Sequence, residues 1–462
     1  MKYSEEQLAV FKNKKVAILG LGAEGLSTGV FLSKFGADLT FFDQKDEKDI
    51  SPEILGQARG LGEVVAALDA FTKLIGFDLI VRSPGISSKQ AFLEKAEKDG
   101  AIITSQTKLF FDLCPCYIVG VTGSKGKGTT SMLIYQMLKE SERDVYLGGN
   151  IGIPPLTFLE DLAESSVVVL ELSSYQLQDL TKSPHIAVML MTVPEHLIYH
   201  EDMSEYVDAK RNVLRYQAKE DFAILNRDYL PTHESDMYTN GKVFQITRER
   251  TTTEQGTSLK DGAIWMRVEG TEWKIIDTKD IALPGKHNWE NAAAAAMAAT
   301  LAGASKADIV KVLKTFRGLP HRLELVREVR GVKYYDDSIA TNPESAIAAI
   351  ESFTQPKVLI LGGVTEGSDF TALGEVISQD PTILAIIGIG REWPTIKAAI
   401  KNPKPHLLLL EGATSMSQVV QAAHKIAKEG DIVLLSPACK SFDMFKSYSD
   451  RGDQFKMEVG KL

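Results

Sequence analysis

The chain has 462 residues, of which 44% are apolar and 24% are charged, and its formal net charge is −9. This length suits about three domains of ordinary size, and the composition is typical of a globular protein. The acidic balance argues against nucleic-acid binding, and the lack of a long apolar run argues against insertion into a membrane.

The amino-terminal stretch MKYSEEQLAVFKNKK is charged and has no apolar core or small-residue cleavage site, so it does not predict a signal peptide. The three cysteines, Cys114, Cys116 and Cys439, form no paired CxxC units, which argues against a disulfide framework or a zinc site. We therefore expect a cytoplasmic protein.

The first predicted elements are a strand, a glycine turn, a helix and a second strand in KKVAILGLGAEGLSTGVFLSKFGADLTFFD. A G-x-G-x-x-G pattern falls on Gly20, Gly22 and Gly25, and Asp43 ends the second strand about twenty residues later, as in dinucleotide-binding folds. Residues 77–87, FDLIVRSPGIS, predict a further strand that enters a turn. Alone, the glycine pattern indicates NAD, but no redox residue accompanies it.

The segment CYIVGVTGSKGKGTTSMLIYQMLKE predicts a strand, a loop and a helix. Backbone amides and Lys127 then lie at a helix N-terminus, which favours an anion. The general phosphate loop reads G-x-x-x-x-G-K-[ST], but here Val121 replaces the first glycine and Gly128 delays the hydroxyl to Thr129. The pattern alone leaves two interpretations, a phosphate site of a particular lineage or a plain turn with a solvated lysine.

Further strands are predicted at SVVVLEL and IAVMLMTV, and alternation between about 235 and 285 predicts short antiparallel strands at a sheet edge. After a helix in NWENAAAAAMAATLAG, the runs KVLILGG, ILAIIGIG, HLLLLEG and DIVLLSP predict parallel strands separated by helices. We predict an α/β protein with three domains: Rossmann-like at 1–105, a P-loop ATPase type at 106–318 and Rossmann-like at 319–462.

Several longer motifs occur along the whole chain in one order. They are LGGNIGIPPL, VVLELSSYQLQDL, PEHLIYH, YVDAKRNVL, LPGKHNWENAAAA, GLPHRLELV, DDSIATNPESA and LLSPACKSFDMFKSYSDRGDQF. With them the chain resembles the Mur ligases, specifically the branch that adds D-glutamate to UDP-N-acetylmuramoyl-L-alanine during peptidoglycan precursor synthesis. Val121 is normal in that family, so the resemblance identifies the loop as an ATP loop in which Thr129 supplies the magnesium hydroxyl.

The resemblance implies an ATP-dependent acid–amino-acid ligase. A substrate carboxylate would attack the γ-phosphoryl group of ATP, and the glutamate amine would displace phosphate from the acyl phosphate. The protein then mainly positions the reactants and neutralises their charge. The implied cofactors are ATP and Mg²⁺ at two sites, the implied partners are UDP-N-acetylmuramoyl-L-alanine and D-glutamate, and we expect a monomer.

Charged residues near strand ends are implied to carry the chemistry. Lys127 would meet the β and γ phosphates, while Glu171 and His196 follow predicted strands, where ligands bind in open α/β sheets. Lys210 is implied to be carbamylated by CO₂, which makes it an oxygen-bearing anion. The implied catalytic residues are Lys127, His196 and Lys210, and the implied magnesium ligands are Thr129, Glu171, His196 and Lys210.

The nucleotide is implied to lie between the loop and the third domain, so that domain closure excludes water from the acyl phosphate. Arg322 can hold a phosphate through two nitrogens, and Asp337 can fix the ribose or the metal. The implied ATP-binding residues are Gly123, Ser124, Lys125, Gly126, Lys127, Gly128, Thr129, Thr130, Asn150, Asn291, Arg322 and Asp337.

The resemblance also reassigns the glycine motif of the first domain, from NAD to the UDP part of the substrate. The glycine turn would accommodate the diphosphate, and Asp43 with the SPGIS loop would lie near the uridine. The implied substrate-binding residues are Gly20, Gly22, Gly25, Asp43, Ser83, Pro84, Gly85, Asn150, Ser173 and Gln176.

Two positions depart from the family pattern: Ile339 stands where lysine is usual, and Glu366 stands where lysine or arginine is usual. A carboxylate at 366 would repel the carboxylate of an incoming amino acid. Either Lys440, Lys446 or Arg451 replaces the basic residue, or the acceptor is not D-glutamate. The implied amino-acid-binding residues are Thr341, Ser441, Phe442 and Tyr448.

Two alternatives stay open at this point. The chain could be a Mur-type ligase for another amino acid, such as L-glutamate or a diamino acid, or a degenerate, non-catalytic nucleotide-binding homologue. A folylpolyglutamate synthase is disfavoured, because those enzymes lack the N-terminal domain and here residues 1–105 precede the loop.

Overall fold

The computed structural model describes residues 10–193, 200–249, 254–365, 367–401, 403, 405 and 407–462. The chain forms two compact units. One runs up to Ile281 and also includes His287–Lys314, and the other consists of Ala282–Lys286 and Thr315–Leu462. Of the helices described, none combines the length and the apolar character needed to cross a membrane.

The first unit begins with a parallel sheet whose strands alternate with helices. Its strands are β1 Lys15–Leu19, β2 Asp38–Asp43, β3 Glu63–Ala66, β4 Leu79–Arg82 and β5 Ile102–Ser105. Its helices are α1 Ala23–Ser33, α2 Pro52–Arg59, α3 Ala91–Lys98 and α4 Gln106–Leu113, with short 3₁₀ helices at Glu47–Asp49 and Ala70–Lys73. The strands pair in parallel in the order β3-β2-β1-β4-β5, as in the dinucleotide-binding folds that the glycine motif predicts.

The same unit contains a second, larger sheet. Its strands are β6 Tyr117–Thr122, β7 Val145–Gly149, β8 Val167–Glu171, β9 Ile186–Met189, β10 Phe222–Asn226, β11 Lys242–Thr247, β12 Gly256–Lys260, β13 Ala263–Val268 and β14 Thr271–Asp277. Its helices are α5 Lys127–Glu140, α6 Ser174–Leu177, α7 Met203–Arg215, α8 Leu230–His233, α9 His287–Leu301 and α10 Lys306–Thr315. Short 3₁₀ helices lie at Pro155–Thr157, Leu159–Asp161, Glu234–Tyr238 and Thr278–Asp280.

The order of this sheet is β14-β13-β12-β11-β10-β9-β6-β8-β7. Strands β6 to β12 pair in parallel, whereas β12, β13 and β14 pair antiparallel at the edge, as the alternation between about 235 and 285 predicts. Strands β8 and β9 are buried along their whole length, which explains their continuous apolar sequence.

Helix α9 owes its place to its alanines. Residues 292–296 are fully buried, and the small side chains let α9 pack closely against α5 and several strands. A helix that is apolar on every side belongs in the interior. This packing brings Asn291 to the start of α5.

The second unit carries the third sheet. Its strands are β15 Glu324–Val329, β16 Val332–Asp336, β17 Lys357–Gly362, β18 Ile383–Ile389, β19 Leu408–Leu410 and β20 Ile432–Leu435. Its helices are α11 Pro343–Glu351, α12 Thr371–Gln379, α13 Trp393–Ala399, α14 Met416–Ile426 and α15 Tyr448–Gly460. The order is β15-β16-β20-β17-β18-β19, and pairing is parallel except between β15 and β16.

The four parallel strands predicted in this part of the chain are present, whereas the antiparallel pair of β15 and β16 was not predicted. The three sheets span Lys15–Ser105, Tyr117–Asp277 and Glu324–Leu435. The proposed domain boundaries near 105 and 318 stay predictions.

Candidate active site

The loop between β6 and α5 has glycine where the backbone requires it. Gly123 and Gly126 adopt φ values of +148° and +88°, which L side chains rarely take. A Cβ atom on Gly126 would also lie 2.3 Å from Oδ1 of Asn291. The glycine spacing of this loop is therefore set by its conformation and by the close approach of α9.

Ser124 ties the loop to the segment that follows β9. Its backbone amide donates to the Met191 carbonyl at 2.7 Å, and its hydroxyl donates to the Val193 carbonyl at 2.8 Å. The same hydroxyl lies 2.9 Å from the Tyr206 hydroxyl of α7. The segment after β9 and helix α7 thus fix the loop.

Lys127 opens α5 and points back over the loop. Its Nζ donates to the carbonyls of Gly123 and Ser124 at 3.0 and 2.9 Å. Thr129 and Thr130 are buried, and the Thr130 hydroxyl lies 3.4 Å from Oδ1 of Asn291. A helix N-terminus with an ammonium group beside it is a favourable place for phosphate.

Glu171 and Asn150 lie together beside the start of this loop. Glu171, the last residue of β8, is in register with Val121 of β6, and its carboxylate is buried. Asn150 donates to Glu171 Oε1 through Nδ2 at 3.1 Å. A buried carboxylate next to a phosphate loop suits a hard cation such as Mg²⁺.

Lys210 of α7 reaches the same loop. The side chain is 1% exposed, and its Nζ donates to the Gly123 carbonyl at 3.0 Å and to Thr122 Oγ1 at 3.4 Å. It also lies 4.5 Å from the centroid of the Tyr206 ring. Lys127 and Lys210 therefore converge on one carbonyl, whereas His196 lies outside the described residues.

The predicted substrate residues of the first sheet lie in or beside one tight turn, at Gly20–Gly25. Gly20 has a φ of +98°, and a Cβ atom there would lie 2.4 Å from Ser83 Oγ. A Cβ atom on Gly25 would lie 2.1 Å from the Gly20 carbonyl oxygen. Asp43 accepts a hydrogen bond from the Leu21 amide at 2.8 Å and so braces the turn. Pro84 and Gly85 follow Ser83, and Gly22 has open space around it.

Residues from the second sheet complete this region. Ser173 caps α6 by accepting from the Gln176 amide at 3.3 Å. Gln176 Nε2 in turn donates to Oε1 of Glu24, between the second and third motif glycines, at 3.1 Å. Burial raises the pKa of Glu24, and the hydrogen bond from Gln176 opposes that shift. The structure thus brings Ser173 and Gln176 to the glycine turn.

In the second unit, Arg322 precedes β15 and Asp337 follows β16, and hydrogen bonds join these two segments. The neighbours of Arg322, His321 and Leu323, both have positive φ values, +62° and +44°. The Leu323 amide donates to Asp337 Oδ1 at 3.1 Å, and Ser436 Oγ donates to Oδ2 at 2.7 Å. Burial raises the pKa of Asp337 to about 7.

Sequence reasoning missed the residues that brace these two segments. His321 Nδ1 lies 2.8 Å from Asp336 Oδ2, and the His321 amide donates to Glu324 Oε2 at 2.9 Å. Their side chains form the one group of three potential metal ligands found in the described part of the chain. Because these atoms already bond one another and Lys456 pairs with Glu324, we interpret the group as bracing. No sequence pattern signals this group, because the positive φ values at His321 and Leu323 are visible only in the structure.

Two of the predicted acceptor residues, Ser441 and Phe442, lie in the loop that follows β20. Ser441 is 2% exposed, and its hydroxyl has no hydrogen-bond partner among the described residues. Phe442 is exposed, and the Val364 amide donates to the Lys440 carbonyl at 2.9 Å, which joins this loop to the one that follows β17. Tyr448 opens α15. Glu366 lies outside the described residues.

Arg451, one of the three residues considered as a replacement for the missing basic residue, bonds to its own unit. It is buried and donates to the Ser338 carbonyl at 2.8 Å, to the Ser338 hydroxyl at 2.9 Å and to the Cys439 carbonyl at 3.1 Å. Burial lowers its pKa to about 10. Its role is to hold the loop after β20. Ile339 is half-buried, and Thr341 directly precedes Asn342, which caps α11.

Comparisons with known proteins cover the whole chain. Three family models match: the Mur ligase MurD-like N-terminal domain at 14–105, the Mur ligase middle domain at 121–299 and the Mur ligase glutamate ligase domain at 321–439. A UDP-N-acetylmuramoylalanine–D-glutamate ligase from Acetivibrio thermocellus is 41% identical over 98% of this chain and 97% of its own length. The chain belongs to the Mur ligase family.

Further relatives of this Mur ligase match it in sequence or in fold. A ligase of the same name from Ruminiclostridium cellulolyticum is 37% identical over 98% of this chain and 97% of its own length. MurF from Acinetobacter baumannii has a TM-score of 0.62 at 16% identity, covering 100% of this chain and 99% of its own. The UDP-N-acetylmuramate–alanine ligase of Thermotoga maritima has a TM-score of 0.58 at 16% identity, covering 97% and 100%. The predicted three-domain α/β fold is confirmed, and Mur ligases generally use ATP and Mg²⁺.

The buried carboxyl group of Asp337 gives this Mur ligase a measurable pH dependence. Its pKa of about 7 lies above the ordinary value of 3.8, so between these values the folded chain holds a proton that the unfolded chain has lost. The free energy of unfolding therefore falls as pH rises through this window. Asparagine cannot titrate, so in Asp337→Asn the unfolding midpoint should fall less between about pH 5 and pH 7.5. Equal falls in both proteins would contradict this account.

Proposed function

We propose that this chain is the ATP-dependent ligase that joins D-glutamate to UDP-N-acetylmuramoyl-L-alanine. The observation that carries the proposal is its similarity, 35–41% identical over 97–99% of the chain, to curated ligases of that name. The anion-binding geometry at Lys127 and the glycine turn at Gly20 support it, since the reaction needs one site for ATP and another for a nucleoside diphosphate.

The residues of the loop would neutralise and orient the phosphates. Lys127 Nζ would exchange its bonds with the Gly123 and Ser124 carbonyls for phosphate oxygens at the N-terminus of α5. The alanyl carboxylate then attacks the γ-phosphoryl group, and an acyl phosphate and ADP form. The glutamate amine attacks the acyl carbon, the C–O bond to phosphate breaks, and the amide forms. Such catalysis is positioning and charge stabilisation.

The oxygen atoms around this loop fit Mg²⁺. The Glu171 carboxylate and the Thr129 hydroxyl are both largely buried, at the end of β8 and in the first turn of α5, and Mg²⁺ prefers such oxygen ligands. Carbamylated Lys210 and His196 would complete the ligands, at two metal sites. When bound, Mg²⁺ supplies positive charge to the transferring phosphoryl group.

The UDP part of the substrate is assigned to the glycine turn. Gly20 and Gly25 let the turn close tightly, and Gly22 faces open space, where a diphosphate would lie at the N-terminus of α1. The segment from Ser83 to Gly85, with Ser173 and Gln176 beside the turn, would hold the rest. The protein is proposed to act as a monomer.

Phosphate release is the direct test of this function. We expect release from ATP only when UDP-N-acetylmuramoyl-L-alanine and D-glutamate are both present, among a panel that includes L-glutamate, lysine and ornithine. Release with another amino acid would change the acceptor. No release with any of them would support the non-catalytic homologue.

Glu366 gives a sharper test of the acceptor. An unpaired buried charge is costly, so each carboxylate of a glutamate acceptor must pair with a cation. Glu366 is itself a carboxylate, so other residues must supply these cations. Glu366→Lys should therefore keep activity and lower the KM for D-glutamate. If Glu366 instead recognises a basic side chain, the same change abolishes activity and lysine or ornithine is the native acceptor. KM values for D-glutamate and ornithine in both proteins decide between these outcomes, with Glu234→Lys, a charge reversal far along the chain from these acceptor loops, as the control.

A further inference from the structure

Arg82, the last residue of β4, is 1% exposed although it carries a permanent charge. Its guanidinium meets Asp179 Oδ2 through Nε at 3.1 Å and through Nη2 at 2.8 Å. Nη1 donates to the Ile86 carbonyl at 2.9 Å, and Nη2 also approaches the Tyr175 carbonyl at 3.5 Å. Arginine is almost never fully buried unless it is paired in this way.

These contacts join two separate segments of the first unit. Ile86 belongs to the turn after β4 that begins with Ser83, and Tyr175 belongs to helix α6, which Ser173 caps. Both segments are assigned to the UDP substrate. One planar side chain that makes several hydrogen bonds therefore sets the distance between the two segments, which a flexible lysine could not do as well.

The charges around Arg82 make this contact hard to replace. Asp179 Oδ1 is buried without a hydrogen-bond partner among the described residues, so its carboxylate depends on the guanidinium. The charge of Arg82 also opposes the rise in pKa that burial imposes on Glu24, beside the glycine turn. Breaking a buried ion pair leaves an uncompensated charge, which favours rearrangement of both segments.

We propose that Arg82 is a positioning residue for the UDP substrate. It holds the turn after β4 and helix α6 at the separation that the nucleoside diphosphate requires, without touching the reacting atoms. This inference rests on the proposed function for the identity of the substrate. It assigns to Arg82 and Asp179 a role in substrate affinity rather than in phosphoryl transfer.

The test separates affinity from turnover. In Arg82→Met we expect the KM and the calorimetric Kd for UDP-N-acetylmuramoyl-L-alanine to rise about tenfold or more, while kcat and the KM for ATP stay within about twofold. Arg82→Lys should recover part of the affinity, and Asp179→Asn should weaken it. Lys34→Met is the control. It removes an exposed ion pair with Glu160, which, like the Arg82–Asp179 pair, joins the part of the first sheet to the part of the second, and it should change none of these values.

Unchanged substrate affinity in Arg82→Met, or an equal loss in kcat and in the KM for ATP, would overturn the proposal. If Arg82→Met does not fold, Arg82→Lys and Asp179→Asn decide by the same criterion. A wild-type protein that binds the UDP substrate but does not release phosphate would overturn the proposed reaction. The Arg82 result would still be read from the calorimetric affinities.

Discussion

Replacing Lys127 with alanine is expected to lower ATP-dependent phosphate release by about a thousandfold, because a positioned charge on the transferring phosphate is lost. The fold should survive. Lys127 donates to the Gly123 and Ser124 carbonyls of its own loop, and each such bond contributes about 1 kcal/mol. Phosphate release and thermal unfolding, measured on the same preparation, check both halves.

Lys139→Ala is the matched control for Lys127→Ala. Lys139 lies in the last turn of the same helix, is exposed and interacts with the Tyr135 ring. Its loss should leave phosphate release unchanged. Activity of Lys127→Ala within a few-fold of the wild type would remove Lys127 from the mechanism, and a large fall in its unfolding midpoint would assign it a structural role.

Replacing Lys210 with alanine is expected to lower turnover by about a hundredfold. The side chain is buried, and its Nζ lies 3.0 Å from the Gly123 carbonyl, so a carbamate there would carry its negative charge beside the phosphate loop. Bicarbonate should not restore Lys210→Ala, whereas acetate should restore part of its activity by supplying a carboxylate.

Lys210→Arg separates the two possible roles of this side chain. Arginine keeps the cation but cannot form the carbamate, so it should be as inactive as alanine. Carbon-13 NMR in labelled bicarbonate should show a carbamate signal in the wild type that both variants lack. An active Lys210→Arg variant, or a wild type without that signal, would contradict the carbamate.

The strands that the sequence predicts best are those buried on both faces. VVVLE in β8 and IVLL in β20 are continuous apolar runs, because helices cover the sheet on each side. The β15–β16 hairpin was missed, although its signal is local. Arg330 and Gly331 have φ values of +50° and +77°, which form the two-residue turn that a right-twisted hairpin favours. The hairpin was missed because an irregular register interrupts the alternation of the flanking strands.

The parts of the site that could be predicted from the sequence are the glycine turns, whose backbone conformation requires glycine. The glycines at 20, 25 and 126 stand where a side chain would collide with a neighbour, so their spacing reports the geometry directly. Contacts between distant side chains leave no such pattern. Arg82 and Asp179 are far apart in the chain, and nothing in their neighbours' sequence indicates that they pair. The roles of Lys210 and Glu171 came from the resemblance, since the residue types alone suit a solvated lysine and an exposed strand end.

The central claim is that this chain forms an amide through an acyl phosphate. It is tested most directly with UDP-N-acetylmuramoyl-L-alanine whose alanyl carboxylate carries oxygen-18. Because a carboxylate oxygen attacks the γ-phosphorus and leaves with it when the glutamate amine forms the amide, the phosphate released in the presence of ATP and D-glutamate should carry the label. Unlabelled phosphate, or no release with D-glutamate, would contradict the account.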